Sequence, residues 1–318
     1  MKYRIGIDLG GTNIAVGAVD ECNKLFVSFS NPTDTSKPLD LVLDDCVQAV
    51  YNLLSLNHID LAQIESVGIG VPGTANIKTG FMEDANNFIG NKISIIDYFS
   101  NKLSVPIFFE NDANAAALAE SIVGVGKGAN SFLMITLGTG IGGAFILNQK
   151  IYRGCNFSAG EFGHMVIDRK GPLCTCGRKG CFESLASASA LIRTVCNRMQ
   201  TRKDSILWAQ CHNDIRKMDG KIFFSSVKEN DLVALEIFHE YLDYLSEGVA
   251  NLINIFQPEI LCIGGGLSKV GEDLRAPLDK LVKEKIYTKS ACIQTEIKLA
   301  RLGNDAGIIG AAILGNLV

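Results

Sequence analysis

Two stretches of this chain share one plan, and that plan limits the folds open to it. In YRIGIDLGGTNIAVGAVD, ending at Asp20, apolar residues alternate on either side of Gly10 and Gly11. In SFLMITLGTGIGGAFILNQKIY, beginning at Ser131, they do so around the turn LGTG. Alternation predicts strands, and glycines between two such strands predict a tight β-hairpin. A second echo follows the first. NDANAAALAE (Asn111 to Glu120) and NDAGIIGAAIL (Asn304 to Leu314) both open on Asn-Asp and continue as small-residue helices. Asparagine or aspartate suits a helix N-cap, while alanine and glycine let two helices cross at close range. Two related α/β lobes hinged between these helices are expected.

Further strands are expected at SVGIGVPG (Ser66 to Gly73), VPIFFEND (Val105 to Asp112) and EILCIGGG (Glu259 to Gly266). Long helices are expected at Pro38 to Leu56, Ala186 to Met199 and Asp231 to Phe256, where apolar residues recur three and four apart. Residues 201 to 230 are the least legible. A chain of 318 residues that is 47% hydrophobic can build a substantial core. Its net charge of −4, without long basic runs, leaves no footprint for nucleic acid or an anionic membrane and favours a small-molecule partner. MKYRIGIDLGG opens as a strand rather than a secretory signal, and no apolar run approaches the roughly 20 residues of a bilayer span. A cytoplasmic location is expected. Seven of the ten cysteines are scattered singly, as buried thiols in a reducing compartment usually are.

DLGGTN, from Asp8 to Asn13, offers two glycines, a hydroxyl and several backbone N–H groups in one turn, a chemistry suited to phosphate oxygens. LGTGIGG, from Leu137 to Gly143, offers the same, and IGGGLS, from Ile263 to Ser268, ends a strand on bare backbone against which a flat ring could lie. For any one loop, a glycine hairpin without a ligand is the alternative. Neither Walker spacing nor a GxGxxG that opens a helix is present. The order of glycine hairpin, Asn-Asp helix, second hairpin, Gly-Gly-Gly strand end and small-residue C-terminal helix resembles the sugar kinase, actin and Hsp70 ATPase superfamily. The resemblance implies a two-lobed α/β, actin-like ATPase (ribonuclease H-like) fold with an interlobe cleft. Its expected lobes are 1–113 plus 300–318, and 114–299 with the cysteine loop. ATP would be held by Gly10, Gly11, Thr12, Asn13, Gly138, Thr139, Gly140, Gly264, Gly265 and Gly266, with Asp8 near Mg²⁺.

HMVIDRKGPLCTCGRKGC carries His164, Cys174, Cys176 and Cys181. Three thiolates and an imidazole complete a tetrahedral zinc shell of the structural kind, with no position left for a catalytic water. The competing reading is a disulfide, which a reducing compartment disfavours. AGEFGHMVI followed by GPLCTCGRKGCFESLAS is similar to the zinc motif of the ROK family (repressors, open reading frames and sugar kinases), and the likeness extends over nearly the whole chain.

The family resemblance implies roles residue by residue. Asp112 matches the catalytic base and Asn111 a sugar-hydroxyl ligand. Gly73, Glu161, His164 and Glu183 match sugar-binding positions, and Asn87 matches the asparagine of the family's Pro-Asn-Leu-Pro-Gly-Trp segment. Between Asn86 and Asn91 the central asparagine and the glycine of that segment remain, while both prolines and the tryptophan are absent, so the family's sugar-pocket rim does not carry over with them. Independently of any family, a sugar hydroxyl attacking phosphorus needs a carboxylate to accept its proton. Asp112, where a strand meets a helix N-terminus, is the candidate, and a plain N-cap is the alternative. The implied activity is an ATP-dependent hexose kinase with glucose as the first-choice acceptor and N-acetylmannosamine, N-acetylglucosamine, allose or fructose as the alternatives, in a homodimer. A sugar-responsive repressor of the same family is disfavoured, because only seven residues precede Asp8.

Overall fold

The computed structural model describes residues 1–83, 88–89 and 93–317. In chain order its strands and helices are β1 (Tyr3–Leu9), β2 (Asn13–Asp20), β3 (Leu25–Pro32), α1 (Leu39–Leu56), β4 (Ile64–Val71), β5 (Thr74–Asn76), β6 (Phe81–Glu83), α2 (Ile95–Ser100), β7 (Ile107–Asn111), α3 (Asp112–Ile122), β8 (Ser131–Leu137), β9 (Ile141–Leu147) and β10 (Lys150–Ile151). There follow α4 (Phe182–Ala186), α5 (Ala188–Thr201), α6 (Leu207–Gln210), α7 (Gly220–Lys228), α8 (Leu232–Phe256), β11 (Ile260–Gly264), α9 (Glu272–Lys285), β12 (Glu296–Leu299) and α10 (Asp305–Ile313). The segment 201–230, illegible in sequence, holds the short helices α6 and α7.

One sheet has the strand order β3-β2-β1-β4-β7 and another the order β10-β9-β8-β11-β12, so the repeated hairpin of the sequence becomes a repeated sheet. In the first, β1 and β2 run antiparallel from Tyr3↔Asp20 to Leu9↔Ile14, and β4 and β7 add on in parallel. The strands β1 and β4 bury Ile5, Ile7, Leu9 and Ile69 completely, each contributing about 2 kcal/mol by removal from water. Across them α1 lays a stripe of Val42, Leu43, Cys46, Val50 and Leu53 at three- and four-residue spacing.

Contacts divide the chain into two compact units: Met1–Phe132 with Ala144–Gly160 and Arg301–Val318, and Leu133–Gly143 with Glu161–Ala300. The sequence expectation starts its second lobe at 114, whereas here the whole of α3 lies with α10 in the first unit. The reason is close packing: a side chain on Gly310 would enter the backbone of Ala115, and side chains on Gly6 and Gly68 would enter the carbonyls of Ile308 and Ala311. Small residues thus let α10 lie against both α3 and the sheet. Of the two Asn-Asp pairs, only Asn111 caps its helix; Asn304 sits in helical geometry and makes no capping bond. Among the described residues no helix is long and apolar enough to cross a membrane.

Candidate functional site

In the first unit the glycine turn closes through Gly10 N–H donating to Asn13 O at 2.9 Å, leaving Gly11, Thr12 and Asn13 exposed. A residue the sequence did not single out holds this turn. Thr33 donates its hydroxyl to Gly10 O at 2.8 Å and its N–H to Thr12 O at 2.8 Å. Asp8 lies just before the turn, half-buried, with its carboxyl pushed up to about 6 by burial and, secondarily, by the charge of Asp112. Gly307 of α10 makes room for it, since a side chain there would strike the Asp8 carboxylate.

Asp112 is the first residue of α3, and the cap is its neighbour: Asn111 Oδ1 accepts Asn114 N–H at 3.0 Å. The plain-cap role therefore belongs to Asn111, and a carboxylate one position later enjoys the helix N-terminal field and accepts Ala113 N–H at 2.8 Å. The Asn111 amide also donates to Gly73 O at 3.0 Å and to Asp112 Oδ1 at 3.1 Å, fixing the pair against the turn after β4. Gly73 can make that turn because its φ is +77°.

Beneath Asn111 and Asp112 lies a carboxylate absent from the sequence candidates. Glu110 is fully buried, pairs with Arg153 Nε at 2.5 Å, and accepts Asn111 N–H at 2.9 Å and Asn114 Nδ2–H at 3.0 Å. The Arg153 loop returns to the same place a second time, through a 2.8 Å hydrogen bond between Ser158 and Thr74 hydroxyls. Asn111, Gly73, Thr74, Ser158, Arg153 and Glu110 are thus joined by side-chain and backbone links, and Asn111 connects them to Asp112.

In the second unit, Gly138 N–H donates to Gly140 O at 3.1 Å and Thr139 is exposed at the tip. Glu183, on the first turn of α4, does not stand apart from this turn: its Oε2 accepts Ile141 N–H at 3.0 Å. Its Oε1 lies 3.5 Å from the Thr175 hydroxyl and 3.8 Å from Cys174 Sγ.

The ligand atoms of His164, Cys174, Cys176 and Cys181 all lie within 4.8 Å of one another, a spacing that fits one metal ion. Gly177 and Gly180, with φ of +85° and +72°, turn the chain back so that Cys181 faces Cys176. The two sulfurs stand 3.6 Å apart, whereas a disulfide needs about 2.05 Å, and every cysteine is free, so the disulfide reading is not realised. Burial pushes the Cys181 thiol up to about 12, while the N–H of Arg178 holds Cys176 below the ordinary thiol value. A cation is what would let the buried Cys181 ionise. Nδ1 of His164 faces the sulfurs, 3.6 Å from Cys174, and Nε2 faces Glu161, whose Oε2 is 3.9 Å away. One ring nitrogen is thereby available to a metal and the other to a ligand beside Glu161.

The three glycines that end β11 and follow it divide their work. Gly265, at φ +79°, sits against the backbone of Leu137 and so must stay bare, while Gly264 meets the tip of the Met134 side chain. Only Gly266 faces open space, at the edge of a cavity of about 690 Å³ lined by Leu191, Ile192, Phe224, Leu267 and Val270, with Lys221, Lys228 and Lys269 around it. The bare-backbone surface expected from all three glycines narrows to Gly266, and the apolar walls come from α5, α7 and the turn that follows Gly266. The sequence had no signal for that pocket, because its α5 and α7 walls lie about 40 or more residues from the glycines. Asn87 lies outside the described residues.

The sequence profile of the ROK family matches residues 4–316. A glucokinase of Halalkalibacterium halodurans is 34% identical over 314 residues, 98% of this chain and 94% of that protein. A glucokinase of Thermotoga maritima is 34% identical over 310 residues, 97% of this chain and 95% of that protein. Among solved structures, a ROK family glucokinase from Streptomyces griseus in complex with glucose and AMPPNP matches with a TM-score of 0.83 at 32% identity, over 99% of this chain and 100% of that one. The repeated sheets are those of the actin-like two-domain α/β fold of the ROK sugar kinases. From its paired glycine hairpins to its Cys/His loop, and by a match that runs almost end to end, the chain belongs to the ROK family.

Proposed function

We propose that the protein is an ATP-dependent hexose kinase that transfers the γ-phosphate to a sugar hydroxyl, with glucose as acceptor. The observation that carries the reading is Asp112. Its carboxylate sits on the first turn of α3 with Asn111 doing the capping; Asn111 donates to it and is itself held by Glu110. A carboxylate so held serves as a proton acceptor rather than a cap. It takes the proton of the attacking hydroxyl as the oxygen–phosphorus bond forms and ADP leaves.

The remaining residues bind and orient. Thr12 and Thr139, with the N–H groups of Gly10, Gly11, Asn13, Gly138 and Gly140, hold phosphate oxygens, and the cavity beside Gly266 takes the nucleotide base, with Gly264 and Gly265 shaping its edge. Asp8 would hold Mg²⁺, since burial first and the charge of Asp112 second raise its pKa, and a divalent cation would relieve both. Glu161, His164 Nε2 and Glu183 read the sugar hydroxyls together with Asn111 and the Gly73 turn, and Asn87 belongs to the same set. His164 Nδ1, Cys174, Cys176 and Cys181 would hold a structural zinc, which stiffens the loop and fixes the histidine tautomer. The reading takes the enzyme as a cytoplasmic homodimer.

The experiment is an ADP-release assay across glucose, N-acetylmannosamine, N-acetylglucosamine, allose and fructose. Turnover highest with glucose is expected. Turnover highest with another of these sugars would replace the acceptor but keep the kinase, and no turnover with any of them would end the proposal.

A further inference from the structure

We propose that Glu183 is a positioning residue through which the Cys/His loop sets the shape of the phosphate-holding turn, so that nucleotide affinity depends on metal occupancy. The inference rests on the kinase reading and adds a coupling to it. A sugar ligand needs only to reach the sugar. Glu183 instead spans two structures within its unit: Oε2 accepts the N–H of Ile141, the first residue after the turn, and Oε1 faces Thr175 and Cys174 of the cysteine loop. Its carboxylate occupies the space a side chain on Gly140 would take, so turn and carboxylate are fitted to each other.

The link is reinforced along the chain. Glu183 follows Cys181 by two residues, and five residues further on Ala188 N–H donates to Gly138 O at 2.9 Å. Between them Phe182 is fully buried and its N–H donates to Met165 O at 2.7 Å, next to His164. The short path from metal ligand to turn therefore contains no slack segment. When the four ligands lose their ion, the loop that carries Cys174 and Thr175 loses its main constraint. Glu183 then loses its orientation, and Ile141 N–H its acceptor.

The test measures nucleotide binding without sugar, which separates this role from sugar recognition. Isothermal titration with ADP and Mg²⁺ is run on the zinc-loaded protein, the chelated protein, and Glu183→Ala and Glu183→Gln variants, each with its zinc content measured. Chelation and Glu183→Ala are expected to weaken ADP binding about tenfold to a hundredfold, the scale of one lost hydrogen bond to a charged group. Glu183→Gln keeps an acceptor for Ile141 N–H and stays within about twofold of wild type. Amide exchange of a peptide covering 137–143 speeds up in the first two and not in the third. Glu183→Ala at full zinc content with unchanged ADP affinity and exchange overturns the link while the kinase reading stands. A wild-type protein that binds no nucleotide overturns both, and one that takes up no zinc overturns the link.

Discussion

Replacing Arg153 by methionine removes the counter-charge of a fully buried carboxylate. Glu110 is 0% exposed and Arg153 25% exposed in their ion pair. Breaking a buried pair from one side costs about 3–5 kcal/mol, because the remaining charge is stranded. Glu110 keeps two donors, Asn111 N–H at 2.9 Å and Asn114 Nδ2–H at 3.0 Å, which places the expected loss near the lower end, about 3 kcal/mol. Both donors belong to the start of α3, so the damage is delivered where Asp112 sits, and a displacement of the base by a fraction of an ångström lowers kcat by about tenfold or more. Urea unfolding followed by circular dichroism reads the first effect, and ADP release at saturating substrates the second. Adding Glu110→Gln to Arg153→Met removes the stranded charge but retains an acceptor for Asn111 N–H, and recovers most of the stability. Arg153→Met within about 0.5 kcal/mol of wild type, with kcat unchanged, would refute the reasoning.

Three further outcomes follow from the same geometry. Asp8→Asn relieves a carboxyl whose shift from 3.8 to about 6 corresponds to about 3 kcal/mol at neutral pH; in metal-free buffer the variant melts higher than wild type while turnover collapses, and a lower melting temperature would contradict the account. Cys176→Ser loses zinc by elemental analysis and raises the Michaelis constant for sugar together with it; retained metal and an unchanged constant would separate the two. Gly265→Ala forces a side chain into a left-handed backbone against Leu137 and lowers stability by more than about 1 kcal/mol in chemical denaturation, an expectation that a neutral result would remove.

The parts of this protein that could be read from sequence are those written in local repetition. Alternation around Gly10 and around Gly138 announced both hairpins, and the Asn-Asp pairs announced α3 and α10. The cysteine cluster was legible because all of its ligands fall between His164 and Cys181. What stayed hidden depends on residues far apart in the chain. Arg153 reaches Glu110 across 43 positions, and Thr33 reaches Gly10 across 23, with no periodicity to betray either. A second buried carboxylate, Glu120, accepts the N–H groups of Arg301 and Leu302 from 181 and 182 residues away, and in sequence it looks like any helical glutamate. Where chemistry alone guided the reading, packing modified it: Gly264 and Gly265, two of the three glycines from 264 to 266, serve close approach, and Asn304 does not cap α10.

The central claim is that Asp112 accepts the proton of the attacking sugar hydroxyl, and it is tested most directly by following radiolabel from γ-labelled ATP to glucose in Asp112→Asn, alongside glucose binding by calorimetry. The account predicts wild-type glucose affinity within a few-fold and label transfer lowered by at least about a thousandfold. Transfer at the wild-type rate would contradict it.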